Sequence, residues 1–151
     1  MTDATKLTVQ RVIDAPADAI FDLLTLPQRH KEFDGSGFIV SDDRTQRIQA
    51  VGDVFTMNMS GDHMGGDYQT DNHVIAFVPN QVVGWQTAPA GTEPKGWSWV
   101  YTLTAQGPQS TQVELAYDWS KVDDKDILAM MPLVSEAELE DSLNQLASAV
   151  A

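Results

Sequence analysis

Period-two alternation fills the middle of the chain, and helical spacing marks its two ends. Lys6 to Ile13 sets Leu7, Val9, Arg11 and Ile13 in one phase and Thr8, Gln10 and Val12 in the other, so it predicts a strand with a cation among its apolar positions. Asp14-Ala15-Pro16 stops that strand and opens a helix, because Asp serves as a cap and Pro is tolerated in a first turn. Ile20, Phe21, Leu23 and Leu24 give the helix its apolar stripe, and Pro27 ends it. A short second helix over roughly Gln28 to Phe33 leads into the Asp34-Gly35-Ser36-Gly37 turn.

Strands follow as far as about Ser120. Phe38 to Val40 and Arg44 to Val51 predict two short ones. Val54 to Ser60 is the cleanest, with Phe55, Met57 and Met59 alternating against Thr56, Asn58 and Ser60. After the glycine-rich loop from Ser60 to Gly66 come strands over Asp67 to Phe77 and Val82 to Thr87. Trp97, Trp99, Tyr101 and Leu103 then share one face, as do Thr111, Val113, Leu115, Tyr117 and Trp119 after the Gln106-Gly107-Pro108 turn. These patterns predict an antiparallel meander with one face rich in large apolar groups. A short helix over Asp123 to Met131 is cut by Pro132. Ser135 and Glu138 form a capping box, and behind it Leu139, Leu143, Leu146 and Val150 recur at helical spacing. That last helix needs an apolar partner, and the aromatic faces of the strands supply one.

The length of 151 residues fits a single domain, 1–151, with no repeat or linker to divide it. The absence of cysteine excludes thiolate nucleophiles, Cys-ligated metal and disulfides. A net charge of −13 repels phosphate backbones and anionic lipid, which argues against nucleic acid as a partner. No apolar run approaches the ~20 residues of a membrane span, and Met1 to Gln10 carries no signal-peptide pattern, so an acidic cytoplasmic protein without membrane insertion is expected.

The strand, the Asp14-Ala15-Pro16-Ala17 junction, the helix ending at Leu26-Pro27, the run of strands, Tyr117-Asp118-Trp119, Pro132 and the Leu-rich last helix together resemble the START/Bet v 1-like (SRPBCC) superfamily. Within it, the chain is most similar to the polyketide cyclase/dehydrase-like branch. The resemblance implies an α+β helix-grip fold, a curved antiparallel β-sheet wrapped around a long C-terminal α-helix, with a cavity for apolar ligands between them. The superfamily spans enzymes, carriers, sensors and chaperone-associated modules, so fold alone does not give function.

Candidate chemistry centres on that cavity. Phe33, Phe55, Met57, Met59, Tyr68 and Trp85 are expected to line it, with Trp99, Tyr101, Tyr117 and Met131. Adaptable Met side chains and polar-tipped rings suit flat, weakly functionalised molecules. Periodicity alone favours a filled core between sheet and helix; it is the resemblance that implies open space. His30 belongs at the cavity mouth in the family arrangement, with a pKa near working pH, although its sequence neighbours Arg29 and Lys31 also fit an exposed histidine. His63 is expected to be solvated in its loop and His73 to sit on the outer face of its strand. Arg11 is expected at the sheet edge.

No metal-ligand spacing, nucleophile elbow or phosphate loop occurs, so no metal and no cofactor is indicated. The expected function is binding of a small hydrophobic or aromatic ligand. Its enzymatic form is a polyketide cyclase/dehydratase-like activity using His30, Tyr68 and Tyr101. The alternatives are a non-catalytic carrier or sensor and a chaperone-associated interaction module.

Overall fold

A computed structural model describes residues 5–43 and 45–151, with position 63 described by its backbone alone. Seven antiparallel strands form one sheet: β1 (Lys6–Ile13), β2 (Ile39–Asp42), β3 (Val54–Gly61), β4 (Gly66–Val78), β5 (Val82–Pro89), β6 (Ser98–Gly107) and β7 (Ser110–Asp118), in the order β1-β7-β6-β5-β4-β3-β2. Consecutive strands from β2 to β7 pair as hairpins, and β1 closes against β7 in unbroken register from Lys6 opposite Asp118 to Ile13 opposite Thr111.

Helices α1 (Ala17–Leu24), α2 (Lys125–Met130) and α3 (Glu136–Val150) complete the chain, with a 3-10 helix over Pro27–Phe33. Their placement follows from the apolar stripes. Ile20, Phe21, Leu23 and Leu24 of α1 are buried, as are Leu139, Leu143 and Leu146 of α3. The capping box closes as read: the Ser135 hydroxyl accepts from Glu138 N, and the Glu138 carboxylate accepts from Ser135 N. Asp124 caps α2 by accepting from Asp126 N and Ile127 N. The α+β helix-grip architecture is therefore present, a curved sheet holding a C-terminal helix.

Bulges give the sheet its bend. The register shift between Val74 and Ala76 inverts the phase of β4, bringing Phe77 to the helix side, where its ring meets Phe21 at 5.4 Å. No helix among the described residues is long and apolar enough to cross a membrane.

Two local expectations fail for identifiable reasons. The stretch after Asp43 is not a strand; Arg44 itself lies outside the described residues, but the backbone groups that follow are engaged elsewhere. Ile48 N donates to Thr25 O, the Asp53 carboxylate takes Gln49 N and Ala50 N, and Gln28 Nε2 donates to Thr45 O. Arg47 holds the segment over the end of α1 through Asp22, at 3.0 Å, and the Thr25 hydroxyl. The second correction is at α1: Pro16 occupies the N-cap with no side-chain cap, and Asp14 stands too far upstream to serve. The β2 strand also starts one residue later than read, at Ile39.

Candidate functional site

Sheet and α3 do not meet everywhere. Between the β3–β6 side of the sheet, the 3-10 helix, α2 and the first half of α3 lies a cavity of about 280 Å³. That is close to the ~300 Å³ lower end of small-molecule pockets, room for a compact ring system rather than a long chain.

The walls follow from strand phase. Phe55, Met57 and Met59 of β3, Tyr68, Thr70 and Asn72 of β4, Trp85 and Thr87 of β5, and Trp99 and Tyr101 of β6 all face inward. The 3-10 helix adds His30 and Phe33, and α3 adds Leu139 and Ser142. The loop after Phe33 is pressed onto α3. Gly35 N donates to the Ser142 hydroxyl at 2.8 Å, and a Cβ at position 35 would run into the Glu138 carbonyl. Only glycine allows that approach, which sets Asp34 and Ser36 at the cavity rim.

Of the sequence-predicted residues, the structure brings His30, Phe33, Phe55, Met57, Met59, Tyr68, Trp85, Trp99 and Tyr101 together on the cavity wall. Tyr117 and Met131 are not on it. Tyr117 stacks behind Trp99 at 4.0 Å, donates its hydroxyl to Met131 Sδ at 3.1 Å and accepts from Leu133 N at 3.1 Å. Burial pushes its phenol up to about 12, against the opposing Leu133 hydrogen bond. It anchors the strap between α2 and α3 and meets no ligand space.

His30 differs from its expected state. It is 2 % exposed, stacked on Trp85 at 5.1 Å and edged by Phe33 and Phe55. Burial lowers its pKa to about 4, offset in part by the Leu24 carbonyl, so the ring is neutral near pH 7. The Leu24 carbonyl lies 2.7 Å from Nε2 and can only accept, so Nε2 carries the proton and Nδ1 the lone pair. The apolar rings around it, invisible to local sequence, overrule the exposed setting suggested by Arg29 and Lys31.

Sequence reading passed over the polar wall. Trp99 Nε1 donates to the Thr87 hydroxyl at 3.0 Å, Thr87 donates to Asn72 Oδ1 at 2.7 Å, and Asn72 Nδ2 donates to Phe55 O and the Thr70 hydroxyl. Asn72 is buried, and its place in the phase of Tyr68 and Val74 was the available signal. The phase that puts Asn72 inside puts His73 outside, beside Asp71, as expected; the His63 side chain lies outside the described residues. Arg11 lies at the β1 edge and donates to Asn144 of α3 at 2.6 Å.

Asp34 is the one Asp, Glu, Lys or Arg among the described lining residues. Its carboxylate accepts from Ser36 N, Ser36 Oγ and Ile39 N. Burial, reinforced by that charge, raises the pKa of both Tyr68 and Tyr101, far more for Tyr101. Among the described residues, no three His, Asp or Glu side chains gather as metal ligands.

Comparison with known proteins adds the family. Residues 14–151 match the sequence model of the Activator of Hsp90 ATPase homolog 1-like proteins. The chain belongs to that family. It is a Bet v 1-like family, so the superfamily resemblance holds. An uncharacterized protein of Mycobacterium tuberculosis is 29% identical over 121 residues, 79% of this chain and 50% of that protein. The chain thus spans about half the length of the curated relatives it matches.

Among solved structures, a Chromobacterium violaceum protein superposes with a TM-score of 0.71 at 15% identity, covering 97% of this chain and 98% of that one. The Zhui aromatase/cyclase of a Streptomyces species gives 0.67 at 14% identity over 96% and 92%. The Aha1 dimer of Colwellia psychrerythraea gives 0.59 at 20% identity over 97% and 96%. At these identities the likeness is one of fold.

Proposed function

We propose that this family member binds a small hydrophobic or aromatic molecule between the sheet and α3. The observation that carries the reading is the partly open, ring-walled cavity of about 280 Å³, whose inner surface combines rigid aromatic planes with adaptable Met side chains. Burying about 300 Å² of apolar ligand contributes roughly 7 kcal/mol before ordering costs, which limits a plain hydrocarbon to a Kd of about 10 μM or weaker.

A catalytic form would draw on the same groups, with Tyr101 donating to an enolate oxygen and His30 offering a lone pair. The low basicity of His30 favours binding over proton abstraction. Tyr68, at the outer end of β4, would orient the ligand. The family description and the acidic charge support a second reading, an interaction module for a basic protein surface. An open interior is not what such a module needs.

The test is direct, because Trp85, Trp97 and Trp99 border the cavity. Titration with tetralin, a neutral fused-ring hydrocarbon, is expected to quench tryptophan fluorescence saturably, and native mass spectrometry to detect a one-to-one complex. Linear, unsaturable behaviour up to the solubility limit in both measurements overturns the proposal.

A further inference from the structure

We infer that the ligand of this cavity is an uncharged ring compound that presents a carbonyl oxygen to Tyr101 and a hydroxyl to His30 Nδ1. This rests on the binding reading and adds the polar pattern the ligand must carry.

Two polar atoms on neighbouring rings of the cavity wall have no hydrogen bond among the described residues. The Tyr101 hydroxyl has no hydrogen-bond partner among the described residues, although the residue is 5 % exposed. His30 spends its Nε2 proton on the Leu24 carbonyl, so Nδ1 keeps an unused lone pair. Among the described residues, the one side-chain nitrogen or oxygen both sealed from space and unpartnered is His73 Nε2, on the opposite face. Tyr101 O and His30 Nδ1 are therefore not sealed, and the space next to them is the cavity that both residues line.

They are also near each other. Both rings border Phe33, at 5.2 and 6.2 Å, and both border Trp85, at 5.1 and 6.0 Å. One compact ring system can reach both.

The two atoms ask for different things. Nδ1 on a neutral imidazole can only accept, so its partner must donate, as a hydroxyl does. A phenol among aromatic rings donates well to a carbonyl oxygen. An unmet buried polar group is costly, so a ligand that meets both atoms gains over its hydrocarbon skeleton. Charge narrows the class further. The lining offers a carboxylate, Asp34, and no Lys or Arg among the described residues, so a ligand carboxylate would be desolvated without a counter-ion.

The experiment compares tetralin, tetralone, the isomeric hydroxytetralones, their methoxy ethers and a tetralone carboxylate, by tryptophan fluorescence on the wild type, Tyr101→Phe and His30→Phe. Tetralone is expected to bind ~tenfold tighter than tetralin, an advantage lost in Tyr101→Phe. The best hydroxytetralone is expected to exceed its methoxy ether ~tenfold, an advantage lost in His30→Phe. The carboxylate is expected to bind weakest.

A second measurement does not depend on either variant folding. In nitrogen NMR of the wild type, the His30 Nδ1 resonance is expected to shift with the hydroxytetralone and to stay with the ether. Equal affinities for all neutral compounds, tightest binding of the carboxylate, or an unmoved Nδ1 resonance would overturn the inference while leaving the binding reading intact. Failure of tetralin and all its derivatives to bind removes that reading itself.

Discussion

The two halves of α3 solve different problems with the same residue type. Leu143 and Leu146, 1% and 0% exposed, lie away from the cavity in the packed part of the core, where Ile13, Ile20, Leu24, Val83 and Val113 are equally sealed. Leu139 is just as buried, yet it faces the cavity together with Ser142. Branched aliphatic side chains interdigitate and close the first region. In the second, flat rings from β5 and β6 stand beside His30 and Phe33, held apart by stacking and by the Asn72–Thr87–Trp99 chain of hydrogen bonds. Space is left where rigid planes and polar groups replace branched aliphatics.

Truncating each leucine breaks or sharpens that contrast most strongly. Leu146→Ala removes a side chain from a closed region with no neighbour free to fill the gap, and is expected to cost about 3–5 kcal/mol. Leu139→Ala enlarges a space that already exists and forfeits contacts on one side only, for a cost of about 2 kcal/mol. Urea unfolding of both variants measures the difference. Equal losses would mean that the cavity side is packed as tightly as the aliphatic side.

Acid probes the same boundary through His30. Its folded pKa, about 4, lies below the ordinary 6.5, so between those values the unfolded chain binds the proton and the fold does not. The contribution is fully present above about pH 6.5 and is lost as pH falls towards about 4, at ~1.4 kcal/mol per unit and about 3 kcal/mol in all. Urea unfolding of the wild type and His30→Phe, measured from neutral to acid pH, is expected to show a steeper loss for the wild type across that window. Parallel curves would place His30 in contact with water.

The same division explains what the sequence could disclose. Strand phase and the Ser135–Glu138 box were local signals, and they located all seven strands, with one further strand that does not form, and the start of α3. Trp85, Trp99 and Tyr101 were legible as wall residues because alternation puts them on the inner face. What stayed hidden depends on contacts distant in sequence. His30 is neutral because β3 and β5 bring Phe55 and Trp85 onto it. Tyr117 shares the inward phase of the wall but is cut off from the cavity by Trp99 in front of it. The 45–50 segment has strand-like composition, but its backbone partners are Thr25 just after α1, Gln28 and Asp53.

The smallest effect on stability is expected where a side chain is added rather than removed. Met59 lies on β3 opposite Tyr68, half-buried and facing the cavity. Met59→Trp would place its extra ring atoms in existing space, so the cost is expected to stay below about 1 kcal/mol, against the 1–3 kcal/mol typical of overpacking in a filled core. The closed half provides the control, since Val113→Phe has no such space and is expected to show the full penalty. Tetralin affinity should move in the opposite sense, lost in Met59→Trp and retained in whatever fraction of Val113→Phe still folds. A Met59→Trp protein that is destabilised as much as Val113→Phe would mean that the rings of the open half have no room to spare, and the contrast between the two halves of α3 would then be one of composition alone.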